Sequence, residues 1–104
     1  MTGMGCMDKS IESSVRLVKL NGARMRSCKG AHAYIAKKLG FPSYYGNNLD
    51  ALFDVLSTWG NPVVIKIKNT KQLRRNLGEY GQAMLHTFEE AAQSNRSLKL
   101  IMAD

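Results

Sequence analysis

Asp50 and Asp54 are the residues of this chain whose type and spacing best support a chemical role. At i and i+4 they stand one helical turn apart, so both carboxylates can address one target. Such a pair suits two kinds of chemistry. It can divide acid and base duties, as in glycosidases, when the surroundings push the two pKa values apart. It can also receive a cationic partner. Carboxylates on an exposed helical face lack the burial that would split their pKa values, so an enzyme is not expected and recognition is. The surrounding segment agrees. Phe41 to Trp59, FPSYYGNNLDALFDVLSTW, contains no lysine or arginine in a chain of formal net charge +7. Tyr44, Tyr45, Phe53 and Trp59 make the same stretch aromatic. An acidic, aromatic island on a basic background reads as a surface made to meet a positive partner.

A loop and a helix must position these groups. Pro42 and Gly46 punctuate the loop, and Asn47 or Asn48 can cap the following helix by accepting a backbone N–H bond. From Leu49 to Trp59, apolar residues at 49, 52, 53 and 56 trace one buried stripe. On that spacing Asp50, Asp54 and Ser57 share a neighbouring face, with Thr58 a little further round. The like-charged pair costs an isolated helix roughly 0.2–0.5 kcal/mol, offset in part for Asp50 by the positive helix N-terminus.

Around this pair the chain alternates strands and helices. Val15–Leu20 (VRLVKL) alternates like a strand and ends at Asn21-Gly22. Lys29–Leu39 has a helical rhythm closed by Gly40. Pro62–Lys68 is a second strand, with Pro62 tolerated at its first position. Thr70 is placed to cap a short helix through Leu77, with Gly78 past its end. Gln82–Gln93 is a further helix burying Met84, Leu85, Phe88, Ala91 and Ala92, and Leu98–Met102 is the last strand. Strands separated by helices imply parallel pairing. The expected fold class is α/β, a three-stranded parallel sheet packed with about four helices. One domain is expected over residues 15–104, after a disordered leader at 1–14. Residues 1–10 hold no apolar run of signal-peptide type. No stretch approaches the roughly 18 apolar residues of a membrane span, so a cytoplasmic protein is expected.

Charge is segregated along the chain. Residues 1–40 carry eight Lys/Arg against Asp8 and Glu12, whereas 41–60 carry only Asp50 and Asp54. Lys66, Lys68, Lys71, Arg74 and Arg75 follow within 61–76 with no carboxylate, and Glu79, Glu89, Glu90 and Asp104 outnumber Arg96 and Lys99 thereafter. The basic parts admit a second reading, a nucleic-acid binder with Tyr34 and Tyr80 available for base stacking, although no RNA- or DNA-binding motif frames them. Other chemistry is hard to build. His32 and His86 have no Cys, Asp or Glu at ligand spacing, and no nucleotide fingerprint is present, so neither metal nor cofactor is expected. Cys6 and Cys28 lack CxxC spacing and are expected as free thiols.

PSYYGNNLDALFDVLSTW, with the later TFEEAAQSNRSLKLIM, resembles the signature of the barstar family, intracellular inhibitors of barnase-type secreted ribonucleases. The resemblance runs from about Val15 to the C-terminus. It implies a single barstar-like domain, a monomer without cofactor, that plugs a ribonuclease active site with a helix and the loop before it. The carboxylates would then meet the cations that otherwise hold RNA phosphates. Carried over by motif, Asp54 matches the dominant acidic contact and Asp50 its companion. Tyr44 matches an aromatic contact in the loop, and Asn48 and Leu49 lie in the same binding segment. Thr58 falls where the family has a glycine near the interface, Trp59 matches a tryptophan at the helix end, and Glu90 matches a peripheral acidic contact on the last helix. The chain also departs from the pattern. Its sequence pI is near 9.7 where the family inhibitor is acidic, so slower association with a basic enzyme is expected. Phe53 replaces a tryptophan, Asn47 replaces an acidic residue, and one residue is missing between Trp59 and Pro62. An interaction module of the same fold with no ribonuclease target is a third reading.

Overall fold

The computed structural model describes residues 15–104; the expected leader at 1–14, Cys6 included, lies outside the described residues. Three parallel strands, β1 (Arg16–Asn21), β2 (Val63–Lys68) and β3 (Leu98–Met102), stand side by side in chain order. A 3-10 turn at Gly22–Arg24 follows β1, and α1 (Cys28–Leu39) and α2 (Leu49–Ser57) lead to β2. Then α3 (Thr70–Leu77) and α4 (Glu79–Ser94) lead to β3. The α/β class, the parallel sheet and the four helices are those the alternation of patterns implies.

The sheet is lopsided. Val18 and Leu20 of β1, Val63, Ile65 and Ile67 of β2, and Leu98 of β3 are buried on one face, against Ile35, Leu39, Leu52, Leu56, Met84, Leu85 and Phe88 from the helices. Truncating a wholly buried side chain such as Phe88 to alanine is expected to remove about 3–5 kcal/mol of stability. On the other face Leu17, Lys19, Lys66, Lys68, Lys99 and Ile101 are exposed. Parallel sheets are usually covered on both faces; among the described residues nothing covers this one.

Local chemistry sets the helix ends. Ser27 Oγ accepts from Gly30 N at 3.0 Å and starts α1. Gly40 ends it at φ 73°, a left-handed conformation that suits a residue without Cβ. Thr70 does not cap α3. Asn69 precedes the helix at φ 57° with no side-chain cap bond, while Thr70 is helical, buried, and donates its hydroxyl to Asp104 Oδ1. Likewise α4 starts at Glu79 rather than Gln82, and α2 stops at Ser57 rather than running to Trp59.

Candidate partner-binding site

The loop before α2 is anchored from inside. Gly40 N and Phe41 N both donate to Ala36 O, at 2.8 and 2.9 Å, and Tyr45 N closes a turn onto Pro42 O at 3.0 Å. The Tyr45 ring is buried, and its hydroxyl lies 2.8 Å from His32 Nδ1 of α1. The other ring nitrogen, Nε2, lies 2.6 Å from the Tyr80 hydroxyl of α4. In a neutral imidazole one nitrogen donates and the other accepts, so one tyrosine gives its proton to the ring and the other receives one. Burial favours that neutral state by pushing the His32 pKa below its usual range. Burial likewise pushes the Tyr45 and Tyr80 hydroxyls up, with smaller charge contributions from Tyr80 on Tyr45 and from Cys28 on Tyr80. Phe41 meets Tyr45 edge-on at 4.8 Å and lies 6.1 Å from Trp59. With Tyr45 pinned inward, Tyr44 stands out at 86 % exposure.

The helix is set by its own first turn and by α4. Asn48 Oδ1 accepts from Ala51 N at 2.7 Å, which resolves the choice of cap, while Asn47 sits in a left-handed turn at φ 54°. Leu52 and Leu56 are buried and Leu49 half-buried, so the opposite side of α2 presents Asp50 and Asp54 to solvent. Thr58 Oγ1 donates to Asp54 O at 2.7 Å. Past the helix, Asn95 at the end of α4 donates through Nδ2 to Leu56 O (2.8 Å), which also accepts from Trp59 N (3.3 Å), and to Trp59 O (2.9 Å), tying the helix end to α4.

Loop and helix together form a groove of about 440 Å³ between Pro42 and Tyr44 on one side and Asp54, Thr58 and Trp59 on the other. Of the expected contact residues, the structure brings Tyr44, Asp54, Thr58 and Trp59 into this one groove. Asp50 lies a turn earlier on the same helix, outside the groove lining. Asn48 and Leu49 have internal duties, as cap and as core packing. Glu90 is exposed on α4, the helix that packs beside α2.

Charge follows the same division. Asp50 and Asp54 on α2, with Glu79, Glu89 and Glu90 on α4, are all the carboxylate side chains of residues 15–104 except Asp104, and neither helix carries a lysine or arginine. Two adjacent helices thus make one anionic surface with an exposed tyrosine at its margin. The sequence model of one protein family, Barstar (barnase inhibitor), matches residues 15–102. The chain belongs to the barstar family. It is also 34 % identical over 80 residues to the Bacillus subtilis (strain 168) protein named "Putative ribonuclease inhibitor YrdF", covering 76 % of this chain and 88 % of that protein.

In this barstar-family chain, sequence reasoning misplaces Phe53 at the site and misses other residues. Phe53 does not belong to the buried stripe. The stripe centres on Leu52 and Leu56, leaving Phe53 on its rim at 36 % exposure, next to the carboxylates. It adds an apolar contact surface that the i, i+3, i+4 pattern conceals. The His32–Tyr45–Tyr80 relay and the Asn95 tie carry no local signal, because their partners lie 13, 48, 39 and 36 residues away. Tyr80, expected as a stacking surface, is half-buried with its hydroxyl engaged. Among the described residues no three His, Cys, Asp or Glu side chains gather at a metal-binding distance, and no helix is long and apolar enough to cross a membrane.

Proposed function

We propose that this chain is a protein inhibitor of a small secreted ribonuclease of barnase type, not a catalyst, and acts by occluding a cationic active site. The observation that carries the reading is the single groove lined by Tyr44 of the loop and by Asp54 of α2, a helix without lysine or arginine, in a chain of the barstar family. An active site that binds RNA phosphates presents cations, and carboxylates on a rigid helix offer those cations the same kind of partner. Asp54 is central, Asp50 stands beside it, and Tyr44 packs from the loop. Thr58 borders the groove, Trp59 supports the helix end, and Asn48 and Leu49 hold the segment in shape. Glu90 reaches the rim. The working unit is the domain of residues 15–104, acting as a cytoplasmic monomer on an enzyme not yet exported. Capped and packed helices need little reordering on binding, which favours affinity.

The test is inhibition of a small barnase-type ribonuclease at physiological salt, with Asp54→Ala in parallel. Tight inhibition that the variant loses supports both the activity and the central residue. No inhibition by the unaltered chain removes this reading and favours an interaction module without a ribonuclease target.

A further inference from the structure

The basic half of the molecule forms a surface of its own. In register, Leu17, Val64 and Lys99 make one row across the open sheet face, Lys19, Lys66 and Ile101 make the next, and Lys68 follows. The four lysines are exposed, and no carboxylate is interleaved with them. Lys19 and Lys66 are direct cross-strand partners, a like-charge pairing that weakens a sheet and that folding alone does not call for. At the free edge of β1, Asn21 N donates to the Tyr34 hydroxyl at 3.0 Å and seats α1 along that edge. There Arg24, Tyr34, Lys37 and Lys38 line a cavity of about 400 Å³, with Lys38 Nζ 6.0 Å from the centre of the Tyr34 ring. Cations therefore flank β1 twice, on its open face and along its edge.

We propose that this surface binds single-stranded nucleic acid. A phosphate enters the cavity among Arg24, Lys37 and Lys38, Tyr34 supplies an aromatic wall, and the sheet lysines follow the backbone. A cationic track with an aromatic platform is how sequence-tolerant single-strand binders work. An anionic membrane fits less well, since interfacial binding favours a continuous apolar face with aromatic anchors. The open sheet face has no aromatic side chain, and its exposed aliphatics are broken up by lysines. Helices α2 and α4 pack on the other side of the sheet, so both surfaces of the molecule can be occupied at once.

The experiment is fluorescence anisotropy of a labelled single-stranded RNA oligonucleotide, titrated with the full chain over a series of salt concentrations. No ribonuclease is present, so the result stands apart from the inhibitor reading. Binding is expected to weaken linearly in log Kd against log salt. Lys37→Gln/Lys38→Gln and Lys66→Gln/Lys68→Gln are each expected to weaken it about tenfold at moderate salt and to lower the slope by about 1.4, roughly 0.7 for each phosphate left without its lysine. Lys29→Gln/Arg96→Gln removes the same charge off this surface and should have a clearly smaller effect. Circular dichroism of each exposed-site variant confirms folding. No binding, or equal weakening by the control pair, overturns the proposal, the latter because it reduces binding to net charge. Binding to phosphatidylserine vesicles without binding to the oligonucleotide overturns it too.

Discussion

Helices α2 and α4 and the open face of the sheet they lie against carry opposite charge. The helix pair holds five carboxylates and no lysine or arginine, whereas the open sheet face holds four lysines and no carboxylate. A net charge of +7 describes neither. Screening at physiological ionic strength acts over about 8 Å, less than the roughly 10–12 Å diameter of one helix with its side chains. A partner seated on α2 therefore feels the near carboxylates far more than the lysines beyond the sheet. Pairing of sign with structural element, rather than overall composition, decides which partner each side can meet.

The sharpest way to break this contrast is Asp54→Ala. Removing one partner of a buried, hydrogen-bonded charge pair weakens a complex by about 2–5 kcal/mol, a range to which the barnase–barstar pair of this same family contributes. The inhibition constant is expected to rise roughly 30- to 4,000-fold; a change below about threefold would mean that the acidic surface is not the contact. The next largest effect separates two adjacent tyrosines. Tyr45→Phe leaves a buried His32 nitrogen without a partner and should lower folding stability by about 1–3 kcal/mol in urea titrations. Tyr44→Ala, on an exposed side chain, should stay within about 0.5 kcal/mol in stability while weakening inhibition. If the two variants behave alike, the inward role of Tyr45 and the outward role of Tyr44 are wrong.

A smaller effect follows from pH. His32 has its pKa lowered in the fold from the 6.5 of an unburied histidine, by burial. The unfolded chain therefore takes up that proton more readily. Its contribution to stability is complete above pH 6.5, declines as pH falls from there to the lowered folded value, and is lost below it. Urea midpoints across this window should show the slope, and His32→Gln should lack it; an unchanged slope would assign the proton elsewhere. Smallest of all, Glu90→Ala is expected to cost inhibition at most about 1 kcal/mol, as befits an exposed rim charge. A larger loss would move the centre of the contact from α2 towards α4.

What is legible in the sequence is what short spacing encodes. The two carboxylates on one face, the Asn cap, the strand alternation and the parallel α/β order each rest on residues a few positions apart. Phe53 is misplaced because the helical period gives the direction of a stripe but not its width. Thr70 is misplaced because a capping residue type stands one place past the turn that Asn69 makes. Nothing local tells which tyrosine of the Tyr44-Tyr45 pair turns inward. His32 and Tyr80 settle that from 13 and 35 positions along the chain from Tyr45. The basic cavity escapes for a related reason, since Arg24 joins Lys37 and Lys38 only once α1 folds back along β1.

The two bonds from Asn95 have one more consequence. They fix the last carbonyls of the α2 segment to α4, not to the connection that follows, and Gly60 and Asn61 in that connection are exposed. Length in this connection is therefore uncoupled from the position of Asp54. Insertions and deletions between Trp59 and Pro62 are expected to reshape the wall of the groove that Gly60 and Asn61 line, while the acidic helix keeps its place.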